Sequence, residues 1–294
     1  MRGGCGSVLL RTCPGCDRSE EEGTPTSDNH IRSCIALVLV APSAPVFFQM
    51  SLRIDELSST EVKTLADEFE TAPLQDVLAW AWGRFGSLAA IGTSFQGAGL
   101  AMIDHAVKAG LKFPIFTLDT NLLFPETYEL KQRLEAHWGI SIEAVQPDLT
   151  LDQQAAENGP ELWKKAPDTC CTIRKVLPLQ RKLAGLSVWI TGVRRQQSDT
   201  RDKTRILELY RFDDLRELFI AKMNPMANWD RDAVWAYIKA NGIPYNPLHD
   251  RGYRSIGCWP CTHLAGSGEN ERAGRWTGFE KTECGIHTFL GESI

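Results

Sequence analysis

The chain has 294 residues, a net charge of −5 and an ordinary globular composition, enough for a buried core in one large domain or two small ones. The acidic balance argues against a general nucleic-acid or membrane surface, but it leaves room for a local positive patch. Its longest apolar run, Ile35 to Phe48, is too short to span a bilayer and is broken by Pro42 and Pro45. The acids Glu20, Glu21, Glu22 and Asp28 ahead of that run do not suit a secretory signal.

Residues 1–49 are rich in Gly, Ser, Pro and Cys and lack a sustained helical or strand period, so they read as a disordered leader or an upstream extension. Cys13-Pro-Gly-Cys16 could otherwise form half of a metal site or a redox pair. Residues 50–250 are expected to form a nucleotide-binding α/β domain, and residues 251–294 an irregular C-terminal segment folded over its site. From Leu52 to Phe85 the apolar spacing predicts two helices broken near Pro73. Strands are then predicted at Leu88–Thr93, Phe113–Leu118, Ile140–Val145 and Val188–Thr191. Helices are predicted at Leu100–Ala109, Pro125–Trp138 and Ile173–Leu183. This alternation implies an α/β fold with a parallel sheet flanked by helices. Arg205–Tyr210 and Leu218–Ala221 read as a hairpin or edge strands, and Trp229–Ala240 as a helix stopped by Gly242. Ligands of such sheets sit beyond the carboxyl ends of the strands, which draws attention to the loops at Ser94, Asp119, Cys170 and Gly192.

Each of those loops carries a candidate. Thr93-Ser94-Phe-Gln96-Gly97-Ala98-Gly99 precedes a helix, and its small residues would let backbone N–H groups approach a phosphate. The same residues equally suit a plain tight turn. Leu118-Asp119-Thr120, followed by Phe-Pro125-Glu126-Thr127, suits ribose or adenine recognition, or else a helix cap at Asp119 or Thr120. Thr191-Gly192-Val-Arg194-Arg195 with Thr200-Arg201 delivers arginines to the same sheet edge, and arginine grips phosphate or sulfate oxygens in pairs.

The chain has nine cysteines, and five of them lie in the body: Cys170, Cys171, Cys258, Cys261 and Cys284. Adjacent and C-x-x-C pairs without an even disulfide framework favour metal or redox use in a reducing, cytoplasmic compartment. Cys170-Cys171 with Cys258-Trp-Pro-Cys261 supplies four thiolates, which fits zinc or an iron–sulfur cluster. Two vicinal ligands suit a cubic 4Fe–4S cluster better than zinc. Lys175 would add a cation beside them. In Lys281-Thr-Glu-Cys284-Gly-Ile-His287 a lone cysteine sits among cationic groups, with Arg272 and Arg275 just upstream, which suits an activated thiolate or equally an incidental tail cysteine.

In this order the motifs resemble the assimilatory adenylyl-sulfate reductases, within the phosphosulfate reductases that share an ATP-pyrophosphatase-like, adenine nucleotide alpha hydrolase-like fold. The resemblance runs from about Leu74 to His287. It implies reduction of adenosine 5′-phosphosulfate to sulfite and AMP, in sulfate assimilation for cysteine biosynthesis, with electrons from thioredoxin or a glutaredoxin-like reductant. It assigns the nucleophile to Cys284, a 4Fe–4S cluster to Cys170, Cys171, Cys258 and Cys261, and phosphosulfate contacts to Lys175, Arg201, Arg272 and His287. Ser94, Gly97, Asp119, Arg194 and Arg275 complete the expected substrate site. Three alternatives stand beside it: reduction of the 3′-phosphorylated nucleotide, tRNA thiolation by a cluster-bearing pyrophosphatase-loop enzyme, and a non-enzymatic zinc-stabilised binding module. A homo-oligomer is compatible with this reading; a nucleic-acid or membrane partner is not expected. The chain departs from the family where Gly97-Ala98-Gly99-Leu100 replaces the usual Gly-Ala-Glu-Asp, and where Thr277-Gly278-Phe279 follows Trp276.

Overall fold

The computed structural model describes residues 57–213, 215–266, 271–272, 274–281 and 283–287. The expected leader and the Cys13–Cys16 pair lie outside the described residues. The predicted break at Pro73 separates α1 (Ser59–Phe69) from α2 (Leu74–Phe85). Ser58 caps α1, its hydroxyl accepting from the Glu61 N–H.

The alternating elements follow: β1 (Ala89–Gly92), α3 (Gly97–Lys108), β2 (Ile115–Leu118), α4 (Pro125–Trp138) and β3 (Ile142–Val145). Then come α5 (Leu151–Asn158), α6 (Leu162–Lys165), α7 (Pro167–Cys171), a π-helical turn (Thr172–Val176) and α8 (Leu177–Leu183). β4 (Val188–Thr191), β5 (Leu207–Asp213), β6 (Leu218–Met223) and α9 (Arg231–Ala240) complete the set.

The six strands form one sheet in the order β3-β2-β1-β4-β6-β5. Every pairing is parallel except β5 with β6. The hairpin left open by the sequence therefore resolves unequally: β6 is interior, hydrogen-bonded to β4, and β5 is the edge.

Period-two alternation divides the strand side chains between two cores. Ala89, Ile91, Ile115, Val188 and Ile190 pack into the larger one, with residues of α1, α2, α3, α4 and α9. Ala90, Phe116 and Trp189 point the other way, toward Leu179 and Leu183 of α8 and Tyr210 of β5. Helices on both faces explain why the strands read as continuous apolar runs.

The sequence reading missed α5 to α7. These helices are short, so their periodicity is too brief to register. The predicted Cys170 loop is helical: Cys170 and Cys171 close α7, and the widened turn after them carries Arg174 and Lys175. Pro178 has no N–H to give back to the preceding turn, which makes the irregular register there less costly. Among the described residues no helix is long and apolar enough to cross a membrane.

Candidate active site

The sheet reverses its strand order between β1 and β4, and a pocket opens beyond their carboxyl ends. Its floor is the turn after β1. Phe95 takes a left-handed conformation there (φ 57°), and its N–H bonds back to Thr93 Oγ1 at 3.0 Å. A bulky residue in that region is strained, as at many ligand-binding turns. Gly97 begins α3, and no side chain caps the helix, so the first N–H groups are left for a ligand. Ser94 and Gly97 both line the pocket.

The departure at Gly99 has a local explanation. A Cβ on Gly99 would stand 2.9 Å from Thr93 Oγ1, and one on Gly192 only 2.7 Å from the Gly99 nitrogen. The β1 and β4 loops thus touch backbone to backbone. Gln96 links this floor to the C-terminal segment: its amide donates to the Ile256 carbonyl at 3.1 Å and accepts from the Ile256 N–H at 3.2 Å.

Lys175, Arg194, Arg201, Arg231, Arg254, Arg272 and Arg275 line the walls, against one lining carboxylate among the described residues, Glu271. The positive patch expected within an acidic chain is therefore real and inward-facing. Arg194 chelates Glu271 through one nitrogen, at 2.6 and 2.8 Å. Arg201 pairs with Glu283 at 2.9 and 2.8 Å, and Arg272 reaches the same carboxylate at 3.1 Å. Burial would raise the Glu283 pKa, but Arg201 and Arg272 hold it below the ordinary value. Burial and the nearby Arg201 lower Arg272 to about 10, so it stays charged at neutral pH. Among the described residues no carboxylate pairs with Lys175 or Arg275. Burial alone would lower the Lys175 pKa; the sulfurs of Cys258, Cys171 and Cys284 reverse that and raise it.

Cys284 is buried against Cys171 and Trp276 and lines the same pocket. Burial would push its thiol up, yet Lys175 and Arg272, with the Ile286 backbone and Arg275, hold it below the ordinary value. Trp276 collects cations on its face: Arg275, Arg272 and Lys281 lie 4.7, 5.4 and 5.6 Å from the ring centroid. The tail is further held where Tyr210 donates to the Ile286 carbonyl at 3.0 Å and where Lys281 pairs with Asp168.

Two expected site residues behave differently from the sequence reading. His287 lines the pocket but is not a cation at neutral pH, because burial together with Arg201, Lys222 and Arg272 lowers its pKa well below the usual imidazole value. Asp119 does not line the pocket. Its carboxylate accepts from Tyr128 Oη at 2.8 Å, Gln146 Nε2 at 3.0 Å and the Asn121 N–H at 2.9 Å. Asp119 therefore shapes its own loop rather than presenting a ligand contact. It does not cap α4 either, since Phe124 holds that position. Buried Arg174 secures the loop from behind, donating to the Thr120 and Leu149 carbonyls and to Asn121 Oδ1, each at 3.2 Å. Glu271, Glu283, Trp189 and Gln197 were missed; acids and an indole carry no anion-binding signature in a linear pattern.

Of Cys170, Cys171, Cys258 and Cys261, Cys170 of α7 packs with Cys258 of the C-terminal segment, and Cys171 with Cys261 and Cys284, in two separate clusters. All four are free thiols, and Cys171 and Cys261 border the Cys284 cluster. As thiols, Cys170 and Cys261 are pushed up to about 11, by burial first and then by neighbouring sulfurs of the set. Cys258 is fixed by a bridge to Leu123 and by a 3.2 Å contact between its sulfur and Thr120 Oγ1. Among the described residues no three His, Cys, Asp or Glu side chains converge to hold a single metal ion.

A six-stranded, mostly parallel sheet with a cation-lined pocket at its switch point defines a nucleotide-binding α/β enzyme. Residues 89–264 match the phosphoadenosine phosphosulfate reductase domain, and the chain belongs to that family. A protein of Oceanobacillus iheyensis named adenosine 5′-phosphosulfate reductase is 44% identical over 221 residues, covering 74% of this chain and 90% of the relative. Adenosine 5′-phosphosulfate reductase 2 of Bacillus subtilis is 41% identical, over 79% of this chain and 94% of the relative. Among solved structures, a phosphoadenylyl-sulfate reductase from Candida auris in a phosphate complex aligns with a TM-score of 0.60. It is 31% identical, over 69% of this chain and 97% of that one.

Proposed function

We propose that this enzyme reduces adenosine 5′-phosphosulfate to sulfite and AMP, with Cys284 as nucleophile and a dithiol protein of the thioredoxin type as reductant. The observation that carries the reading is a buried thiol of lowered pKa inside a pocket lined with cations, at the switch point of this family's sheet. The names of the relatives support the unphosphorylated nucleotide over its 3′-phosphorylated counterpart, and family membership sets the tRNA-thiolation alternative aside.

The Cys284 thiolate attacks the sulfur of the bound phosphosulfate. An S–S bond forms, the S–O bond to the nucleotide breaks, and AMP leaves with that electron pair. Negative charge grows on the departing phosphate, and the fixed cations Arg201, Arg272, Arg275 and Lys175 that line the pocket favour that charge. One thiolate of the reductant then attacks Cys284 Sγ and expels sulfite. Its second thiol attacks the resulting mixed disulfide and restores Cys284. Two electrons pass from the dithiol to the sulfur. His287, held neutral, contributes a ring surface and a hydrogen-bonding nitrogen rather than charge.

The donor set of Cys170, Cys171, Cys258 and Cys261 fits a 4Fe–4S cluster: four thiols, mostly buried, from two distant segments, all within electrostatic reach of Lys175. When bound, the cluster would supply a localised charge distribution beside the pocket. Lys175 interacts electrostatically with both Cys171 and Cys258 of this set and with Cys284, and these sulfurs keep its ammonium protonated.

Intact-protein mass spectrometry tests the reading. Adenosine 5′-phosphosulfate without reductant should add one sulfonate to the wild type and none to Cys284→Ser. An unmodified wild type, or a modified Cys284→Ser, would overturn the nucleophile assignment. Modification by the 3′-phosphorylated nucleotide alone would overturn the substrate choice.

A further inference from the structure

The residue before the nucleophile is an acid, and it is bonded to two of the arginines that line the pocket. Glu283 accepts from Arg201 Nε and Nη2 and from Thr200 Oγ1 at 3.2 Å, and pairs with Arg272. Ser198 Oγ lies at 3.5 Å from the same carboxylate. Glu283 and Arg201 are both less than a tenth exposed. Two guanidinium groups and two hydroxyls around one carboxylate form a complete oxyanion cradle, of the kind a sulfate or phosphate would occupy. This cradle is filled from within the chain.

We propose that Glu283 is a positioning residue that stands in for the sulfo end of the substrate: its carboxylate holds Arg201 and Arg272 until the phosphosulfate displaces it. The proposal rests on the reading of Cys284 as the nucleophile. Three features make displacement more than a loss of contacts. The arginines change one anion for another, so neither buried charge is left unpaired. The tail keeps its other anchors, namely the Tyr210 bond to the Ile286 carbonyl and the stacking of His287 on Trp189. Cys284, Arg201 and Arg272 line one pocket, so a sulfo group that replaces the Glu283 carboxylate on the two arginines is held in the cavity that the nucleophile also lines. The empty enzyme thus keeps its nucleophile docked and its cations compensated, and the anchor that yields is the one the substrate replaces.

Competition makes the effect opposite in sign to that of an ordinary structural contact. In a Cys284→Ser background, where the nucleotide binds without reacting, Glu283→Gln should tighten adenosine 5′-phosphosulfate about fivefold, because the substrate no longer competes with a carboxylate for the cradle. AMP, which lacks the sulfo group, should gain much less. Glu283→Asp should restore the wild-type affinity order. Equal or weaker binding by a folded Glu283→Gln protein would overturn the proposal. A second measurement is independent of the nucleotide. In the wild type, inorganic sulfate should increase hydrogen–deuterium exchange across residues 283–287, and in Glu283→Gln it should not. Sulfate that leaves wild-type exchange unchanged, or protects the tail in both proteins, would also overturn it. If the nucleotide fails to bind either Cys284→Ser protein while sulfate loosens the wild-type tail, the substrate reading fails and the displacement stands.

Discussion

The imidazole of His287 lies parallel to the indole of Trp189, with 5.2 Å between ring centroids and 5° between planes. Trp189 belongs to β4 and His287 to the last described turn of the tail, so this stack ties the nucleophile-bearing segment to the sheet. The ring is neutral because burial and the nearby Arg201, Lys222 and Arg272 oppose a further positive charge. A histidine whose folded pKa is depressed contributes stability above its unfolded value of about 6.5 and loses it as pH falls from there toward the folded value. Acid should therefore favour the undocked tail. The His287 ring resonances should remain those of the neutral form at pH 6, and NMR of that ring checks this.

Lys222 and Glu208 form a buried pair at 2.8 Å, with side chains 5% and 8% exposed. The ammonium also lies 4.4 Å from the Tyr210 ring centroid, behind the ring that holds the tail. Lys222→Met removes the ammonium that balances the buried Glu208 carboxylate and should cost about 3–5 kcal/mol. Replacing both, as in Lys222→Met with Glu208→Leu, should recover most of that loss. Urea unfolding of the single and double variants measures the difference.

Gly192 is where the β4 loop meets the first turn of α3. A methyl group there would fall 2.7 Å from the Gly99 nitrogen and 3.0 Å from its Cα, and backbone cannot move aside as a flexible side chain can. Gly192→Ala should destabilise the protein by about 1–3 kcal/mol, the usual cost of overpacking. Because the displaced turn is the pocket floor, AMP binding should weaken as well. Thermal unfolding and equilibrium titration together separate the two effects.

The lowered Cys284 pKa depends on its cationic neighbours, with Lys175 the largest favourable contribution. Lys175→Met removes charge that favours the thiolate, so the midpoint of the pH profile for Cys284 alkylation should move up. Arg272→Gln should move it the same way by a smaller amount. Iodoacetamide rates across pH, with the modified cysteine identified by peptide mapping, give both midpoints.

Iron content distinguishes the two sulfur chemistries. Cys258→Ser should lose iron and the broad visible absorbance of an iron–sulfur protein, while Cys284→Ser should keep both. Metal analysis of the two purified variants is sufficient.

The local sequence was enough to place the parallel sheet and most of its elements. Val188–Thr191 and Pro125–Trp138 fall at their predicted limits because buried strands and a proline-started helix carry strong local signals. The motifs also pointed to one end of one sheet, since strand ends in such folds share an edge. Helices α5 to α7 escaped notice because a helix of one or two turns has too little period to stand out.

The sequence by itself determined the chemistry available: four thiols in two pairs, a lone tail cysteine, and arginines in the loop after β4. The partners of each charge were decided only by the tertiary structure. Arg201 meets Glu283 and Arg194 meets Glu271 across more than seventy residues of chain, and Asp119 turns inward to Tyr128 instead of toward the pocket. Charge pairing depends on distance and on exclusion of water, and neither can be read from positions along a chain. For that reason His287 could be recognised as a site residue from its motif, but its neutrality emerged only from its burial among three cations.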